Sequence, residues 1–211
     1  MHRRNSAGCI GFLIFLLCAS MAKTVFATED LLKVPKYFPT EPGLKNTYRC
    51  KGDGDLYNAE INVREVTHNS SVYSMSATVT LRQQKKIEFA DMLEFQVDCV
   101  YKSHQLTVTI TDASFVIGNV LPVNEPGDVM QGRGSHGDGS VISFDGKVVS
   151  TTTKVAIDGS RWDDAMVVAV EMPTRGQRLK LTLAAPEGLI RASVVTTRGE
   201  GSMELLPPRR P

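Results

Sequence analysis

The sequence predicts an exported all-β protein: an antiparallel meander of about 10–12 strands that forms a β-sandwich or an open or closed β-barrel, preceded by a cleaved signal peptide. Three observations carry this prediction. The chain begins with an apolar leader, apolar and polar residues alternate in most later segments, and turn-forming residues separate those segments. Alternation places apolar side chains on one face of a strand and polar side chains on the other.

Residues 1–27 have the layout of a secretory signal peptide. Two arginines precede an apolar stretch of 15 residues, Gly8 to Ala22, and small-residue patterns end at Ala22 and Ala27. A membrane-spanning helix needs ~20 apolar residues, so we expect cleavage after one of these alanines and no retained transmembrane anchor. The mature protein is therefore expected to be periplasmic or secreted.

The charge that remains after cleavage argues against nucleic-acid binding. Losing Arg3, Arg4 and Lys23 leaves 21 Lys and Arg residues against 23 Asp and Glu residues, a formal charge of −2. A nearly neutral chain lacks the basic field that nucleic acids require.

The mature chain divides into strand blocks and segments without alternation. Residues 28–44 contain three prolines and are predicted to form an extended arm. A first strand block, 45–118, is joined to a second block, 140–206, through a Gly- and Pro-rich loop at 119–139. Residues 207–211 form a Pro/Arg tail that cannot pair as a central strand, because proline has no backbone N–H. Residues 28–211 are expected to be one β domain.

Alternation is clearest in four runs: "VYSMSATVTL", "LEFQVDCVY", "QLTVTIT" and "RLKLTL". Each predicts a strand with one face buried. "AMVVAVEM" is apolar on both faces and predicts a central strand. Beyond the leader, the sequence has helix-like character only from Phe89 to Met92.

Turn chemistry predicts the connections. Asp145-Gly146 in "VISFDGKVVS" favours a hairpin with a type I′ turn, because that turn needs positive φ at both central residues. "VEMPTRGQRLKL" and "VVTTRGEGSMEL" predict longer hairpins that contain glycine, and "THNSSVY" and "YKSHQL" predict two more.

Cys50 and Cys99 are the cysteines that remain after cleavage. Alternation puts both on apolar strand faces, and an even pair in an exported chain predicts one disulfide. Two buried thiols are the alternative. A zinc site is not expected, because these cysteines lack CxxC spacing.

The stretch "GRGSHGDGS", residues 132 to 140, contains Arg133, His136 and Asp138. Arg133 could bind an anion, and His136 and Asp138 are close enough in sequence to share a metal ion. A metal site normally needs three or four ligands, so we expect no metal here. The composition predicts a mobile loop that contacts a ligand or a partner.

A second candidate contact region is "IDGSRWDDAM", where Arg161 and Asp163 flank the chain's one tryptophan, Trp162. An aromatic face beside carboxylates suits a sugar. The alternative is an exposed hairpin loop with Trp162 folded onto the edge of the domain. Asp163 and Asp164 are adjacent on a predicted strand and point to opposite faces, so they cannot act together as a glycosidase pair.

No catalytic residues or cofactors are predicted. The sequence contains no GxSxG elbow, and no phosphate-binding or dinucleotide fingerprint follows a strand. We therefore expect a non-enzymatic binding or assembly module of the cell envelope that works through protein–protein contacts.

The alternative is a periplasmic carrier that holds a small apolar ligand in a lipocalin-like or half-barrel cavity. Apolar strand faces would line that cavity, with these residues: Tyr73, Met75, Val79, Leu93, Phe95, Val97, Leu179, Leu181 and Leu183. A carbohydrate-binding or carbohydrate-active protein is a third interpretation.

Overall fold

The structure is a computed structural model that describes residues 32–52, 55–83, 92–111, 113–185, 187–197 and 199–207. The predicted signal peptide, the helix-like residues 89–91 and the tail beyond 207 lie outside the described residues. The described chain forms twelve strands: β1 Lys45–Gly52, β2 Asp55–His68, β3 Tyr73–Gln83, β4 Met92–Lys102, β5 Gln105–Ile110, β6 Ala113–Gly118, β7 Val129–His136, β8 Val141–Ile157, β9 Ser160–Met172, β10 Gln177–Ala184, β11 Gly188–Thr196 and β12 Gly199–Leu205.

The twelve strands form a closed antiparallel barrel in which each strand pairs with its neighbours in sequence. β12 closes the barrel by pairing with β1, where Cys50 lies opposite Met203. Closure pairs the backbone N–H and C=O groups that a sandwich would leave without hydrogen-bond partners at its edge strands. The all-β prediction and the strand number are therefore confirmed, and the closed barrel is the form adopted.

Inward-facing residues alternate along the strands and are almost all apolar. Tyr48, Tyr73 and Tyr101 are among the largest side chains that are fully buried. β9 is buried on both faces from Ala165 to Val168, as its apolar run predicts. The predicted hairpins between β2 and β3, β4 and β5, β9 and β10, and β11 and β12 are all present.

The predicted hairpin at Asp145-Gly146 is wrong. Both residues lie inside β8, and Asp145 pairs with Gln131 on one side and Glu171 on the other. The segments on either side of this dipeptide pair with β7 and β9 rather than with each other. Asp-Gly dipeptides lie instead at two other turns. Asp158-Gly159 joins β8 to β9, with φ of 45° and 89°, and Asp138-Gly139 lies between β7 and β8, with a Gly139 φ of 79°.

The predicted loop at 119–139 is also too long. Residues 129–136 form β7, and the connection from β6 covers only 119–128. Gly132 lies opposite Phe144, and Gly134 lies opposite Phe115. A Cβ atom on either glycine would overlap the facing phenylalanine ring. These glycines therefore make room for aromatic packing inside the barrel instead of loosening a loop.

The predicted disulfide between Cys50 and Cys99 is not formed, and both residues are buried thiols. Cys50 lies on β1 and Cys99 on β4, with β2 and β3 between them, and neighbouring strands are ~4.8 Å apart. Their positions along the barrel also differ. Following the pairing from Cys50 leads to Gln83 on β3, whereas Cys99 lies opposite Met75. A disulfide needs Cα atoms within ~7 Å, which this arrangement excludes.

Candidate functional site

The barrel lumen is the candidate functional site, because twelve strands enclose more space than their own side chains fill. A barrel of ~8 strands is just wide enough for side chains to fill it, and wider barrels need additional material. Here the N-terminal arm supplies side chains that help to fill the interior. Tyr37 and Phe38 are 6% and 3% exposed, and both belong to the central hydrophobic cluster.

Phe38 is the centre of an aromatic cluster at one barrel mouth. Its ring centroid lies 5.4 Å from that of Tyr73 and 5.5 Å from that of Tyr101, the second pair in an edge-to-face arrangement. The Tyr73 hydroxyl donates a 2.7 Å hydrogen bond to the Pro39 carbonyl oxygen. Aromatic pairs of this geometry contribute about 0.5–1.5 kcal/mol beyond their buried area.

The described part of the arm, residues 32–44, is fastened near both of its ends to β2 and the turn that follows it. The Leu32 N–H donates to the Asn69 carbonyl oxygen at 3.1 Å, and His68 Nε2 hydrogen-bonds to the Leu32 carbonyl oxygen at 2.6 Å. At the other end, the Gly43 N–H donates to the Val63 carbonyl oxygen at 2.8 Å. The predicted extended arm is therefore a strap across the mouth of its own barrel.

Beneath the strap lies an apolar cavity of about 70 Å³. It is lined by arm residues and by strand residues from β5 to β10, together with the loop between β6 and β7: Pro35, Tyr37, Phe38, Leu106, Ile117, Val120, Asn124, Met130, Phe144, Gly146, Met166, Val168, Val170, Leu181 and Leu183. Leu181 and Leu183 were predicted to line a ligand cavity. Leu93, predicted with them, is instead 49% exposed.

The loop 119–128 is held against the barrel on both sides of the cavity. The Tyr101 hydroxyl donates to the Val120 carbonyl oxygen at 2.9 Å, and the Val120 N–H donates to the His104 carbonyl oxygen. At the far end, the Gly127 N–H donates to the Val148 carbonyl oxygen at 2.8 Å. Asn124 lies between these two attachments and is positioned by them over the cavity.

Burial controls the titration of several interior groups. Burial and, second, the negative charge of Asp164 raise the pKa of Tyr37 to about 12. Burial raises the pKa of the Cys50 thiol to about 12, against a smaller lowering effect from a hydrogen bond with the Ala59 backbone. Burial also raises the pKa of Tyr101. These groups are neutral at ordinary pH, which suits an apolar interior.

A second concave region lies outside the barrel and has a volume of about 900 Å³. Charged residues of both signs line it: Lys45, Arg49, Glu60, Arg82, Asp158 and Glu187. Lys45 pairs with Glu60 at 3.0 Å, and Arg49 pairs with Asp158 at 3.3 Å. Arg82 is exposed and makes no ion pair with any residue in the described ranges.

The structure does not bring the two predicted contact regions together. Arg133 is exposed on β7, His136 ends that strand, and Asp138 accepts a hydrogen bond from the Ser140 N–H at 2.9 Å in the following turn. Trp162 lies near the start of β9, beyond the far end of β8. The 17 residues of β8 separate the two regions, which therefore occupy opposite ends of the barrel.

Trp162 is half-buried against the core, and its indole N–H donates to Glu187 Oε2 at 2.9 Å. Arg161 and Asp163 are exposed and, as its neighbours on a strand, point away from the Trp162 face. The three side chains therefore do not form one sugar-binding surface.

Sequence reasoning missed the residues at the mouth of the lumen. Tyr37 and Phe38 are adjacent aromatic residues within a proline-rich arm, and that local pattern was the available signal. Asn124 carried no local signal, because an asparagine is ordinary in a loop.

The described part of the chain holds neither a metal-ligand cluster nor a membrane-spanning helix. It contains no group of three or more His, Cys, Asp and Glu side chains placed to hold a metal ion. Nor does it contain a helix long and apolar enough to cross a bilayer.

Comparison with known proteins relates the chain to others by fold. No protein-family model matches it, and no curated protein is significantly similar in sequence. A Bacteroides fragilis crystal structure of a "putative exported protein with YmcC-like fold" matches with a TM-score of 0.51 and 14% identity, covering 80% of this chain and 96% of that one. A "putative lipoprotein" from Parabacteroides distasonis matches with a TM-score of 0.53 and 10% identity, covering 84% and 98%. The chain shares the fold of these two proteins.

Proposed function

We propose that this protein is an exported, non-enzymatic binding protein that holds a small apolar ligand in its barrel lumen. The observation that carries the proposal is the apolar cavity beneath the strap formed by Pro35, Tyr37 and Phe38. A lumen closed by a separate segment of chain, rather than by strand side chains alone, opens when that segment moves. Apolar lining with few polar groups is typical of small-molecule sites, which usually have volumes of about 300–1,000 Å³. The closed cavity is only about 70 Å³, so a ligand enters when the strap is displaced.

Export is supported by two independent lines. The sequence begins with the three-part layout of a signal peptide. The two structural neighbours are named as an exported protein and as a lipoprotein, and both names describe proteins that leave the cytoplasm. A periplasmic or secreted location follows from the proposal.

Native mass spectrometry of protein isolated from its own compartment tests ligand binding directly. We expect a species heavier than the processed polypeptide, which loses its extra mass after denaturation. Freshly isolated protein that has only the mass of the polypeptide would count against a carried ligand.

A substitution at the strap tests the lumen itself. Phe38→Ala should enlarge the cavity and let benzene bind, because an apolar cavity of ~150 Å³ is known to accept it. Phe95→Ala is the matched control, since Phe95 is half-buried and does not line the cavity. Benzene should raise the melting temperature of the Phe38 variant and leave that of the control unchanged. Equal responses of the two folded variants would contradict a lumen site.

A protein–protein contact surface is the second candidate function, favoured by the charged outer groove. Arg82 is exposed there and makes no ion pair with the described residues, which suits contact with an acidic group of a partner. Arg82→Glu should abolish cross-linking to a specific envelope partner. Lys154→Glu, an equal charge reversal at an exposed position outside this groove, should leave it intact. Equal cross-linking of both variants would count against this surface.

A further inference from the structure

Asn124 lines the cavity, and its side chain carries a buried hydrogen-bond donor. Its Nδ2 atom is shielded from solvent and has no hydrogen-bond partner in the described chain. Asn124 is also the one lining residue with a side-chain amide; the other lining residues are aliphatic, aromatic, methionine, proline and glycine, and among them only Tyr37 carries a further polar group, its hydroxyl. We propose that Asn124 Nδ2 anchors a ligand oxygen, so that the lumen binds a neutral apolar molecule with a hydrogen-bond acceptor.

This inference rests on the proposed lumen function and adds the class of ligand. A buried donor without a partner costs free energy that an acceptor would recover, whereas a pure hydrocarbon would leave the cost in place. The fixed attachments of the loop at Val120 and Gly127 hold Asn124 in position and limit its movement toward solvent.

The oxygen should belong to a neutral group such as a ketone, an ester or an ether. The cavity lining contains no Lys, Arg or His that could balance a carboxylate or a phosphate. Burying an anion without a partner charge is strongly unfavourable. An acidic headgroup is therefore expected to stay outside the lumen.

A pair of probes that differ mainly in the acceptor tests the anchor. Cyclohexanone and methylenecyclohexane have nearly the same shape, and only the ketone accepts a hydrogen bond. Both are titrated by nuclear magnetic resonance into the full chain carrying Phe38→Ala, with Asn124 intact or replaced by Leu. The ratio of the two dissociation constants is compared between the proteins, which removes the different hydration of the probes.

With Asn124 intact, the ketone should gain roughly fivefold to tenfold in relative affinity over the Asn124→Leu protein. The Asn124 side-chain amide resonance should also shift with the ketone and stay in place with the alkene. If Asn124→Leu does not fold, Asn124→Ala provides the same comparison, and the resonance shift requires no substitution at Asn124.

Three outcomes are distinguished. A ketone preference that depends on Asn124 supports the anchor. Binding of both probes with the same ratio in both proteins overturns the anchor and leaves the lumen function standing, as expected if a fixed water molecule satisfies the amide. Failure of both probes to bind overturns the proposed lumen function, and the anchor with it.

Discussion

Gly132 lies directly opposite Phe144 in the β7–β8 pair, and the Phe144 ring fills the space that a Cβ atom on Gly132 would need. The same relationship links Gly134 to Phe115 on β6. An aromatic ring placed over a glycine on the neighbouring strand fills the gap left by the missing side chain. A stretch with the composition of a flexible loop is thereby part of a rigid wall.

Gly132→Ala should destabilise the protein by about 1–3 kcal/mol, because the new methyl group forces Phe144 away from its packed position. Gly118→Ala is the matched control, because Gly118 lies on the neighbouring strand β6. An added Cβ there would be 3.7 Å from the nearest atom, the Gln131 carbonyl oxygen. Urea unfolding followed by circular dichroism measures both. Adding Phe144→Leu should recover part of the loss, and a control as unstable as Gly132→Ala would refute the steric explanation.

Two of the Asp-Gly dipeptides, one in a turn and one within a strand, should respond differently to the same substitution. Gly159 has a φ of 89° and open space around its Cβ position, so Gly159→Ala should cost about 1–2 kcal/mol from backbone strain alone. Gly146 lies within β8, and an added Cβ would meet ordinary contacts at 3.5 Å and beyond. Gly146→Ala should change stability by less than about 0.5 kcal/mol. The melting temperatures of the two variants measure this difference. A larger loss of stability in Gly146→Ala than in Gly159→Ala would place the turn at residue 146.

Cys50 and Cys99 should both titrate as thiols once the protein is unfolded. In denaturant without reductant, we expect two thiols per chain to react with a thiol reagent when Cys9 and Cys18 are replaced by Ser. In the folded protein, Cys50 should react very slowly at neutral pH, because burial raises its pKa to about 12 and leaves almost no thiolate. Recovery of no thiols in denaturant would establish a disulfide and contradict the barrel register.

Stability should fall at alkaline pH. Tyr37 and Cys50 keep their protons in the folded state up to about pH 12, whereas their ordinary pKa values are 10.0 and 9.0. Unfolding above those values releases protons, so the free energy of unfolding decreases as pH rises toward about 12 and is unaffected by these groups at lower pH.

Tyr37→Phe removes one of these buried ionisable groups and keeps the ring. Its unfolding free energy should therefore depend less steeply on alkaline pH than that of the wild type, as measured by urea unfolding across a pH series. Arg178→Gln, at a well-exposed position, is the control and should keep the wild-type slope. Identical slopes for Tyr37→Phe and wild type would contradict the burial of the Tyr37 hydroxyl.

The sequence by itself determined the strands and most of the hairpins. Apolar residues at every second position require one buried face, and residues that accept positive φ, such as Ser103 and His104, permit the tight turns. These signals are local, since each depends on residues next to one another in the chain. The alternation within "LEFQVDCVY" therefore predicted β4 without knowledge of its neighbours.

Only the tertiary structure decided how the strands close, which Asp-Gly dipeptides lie in turns, and what fills the lumen. Asp145-Gly146 stays in a strand because β7 and β9 supply partners on both sides. The cysteines stay apart because barrel order and register, which no local pattern encodes, place them on different strands at different heights. Phe38 becomes core because a closed ring of twelve strands leaves an interior that its own side chains do not fill.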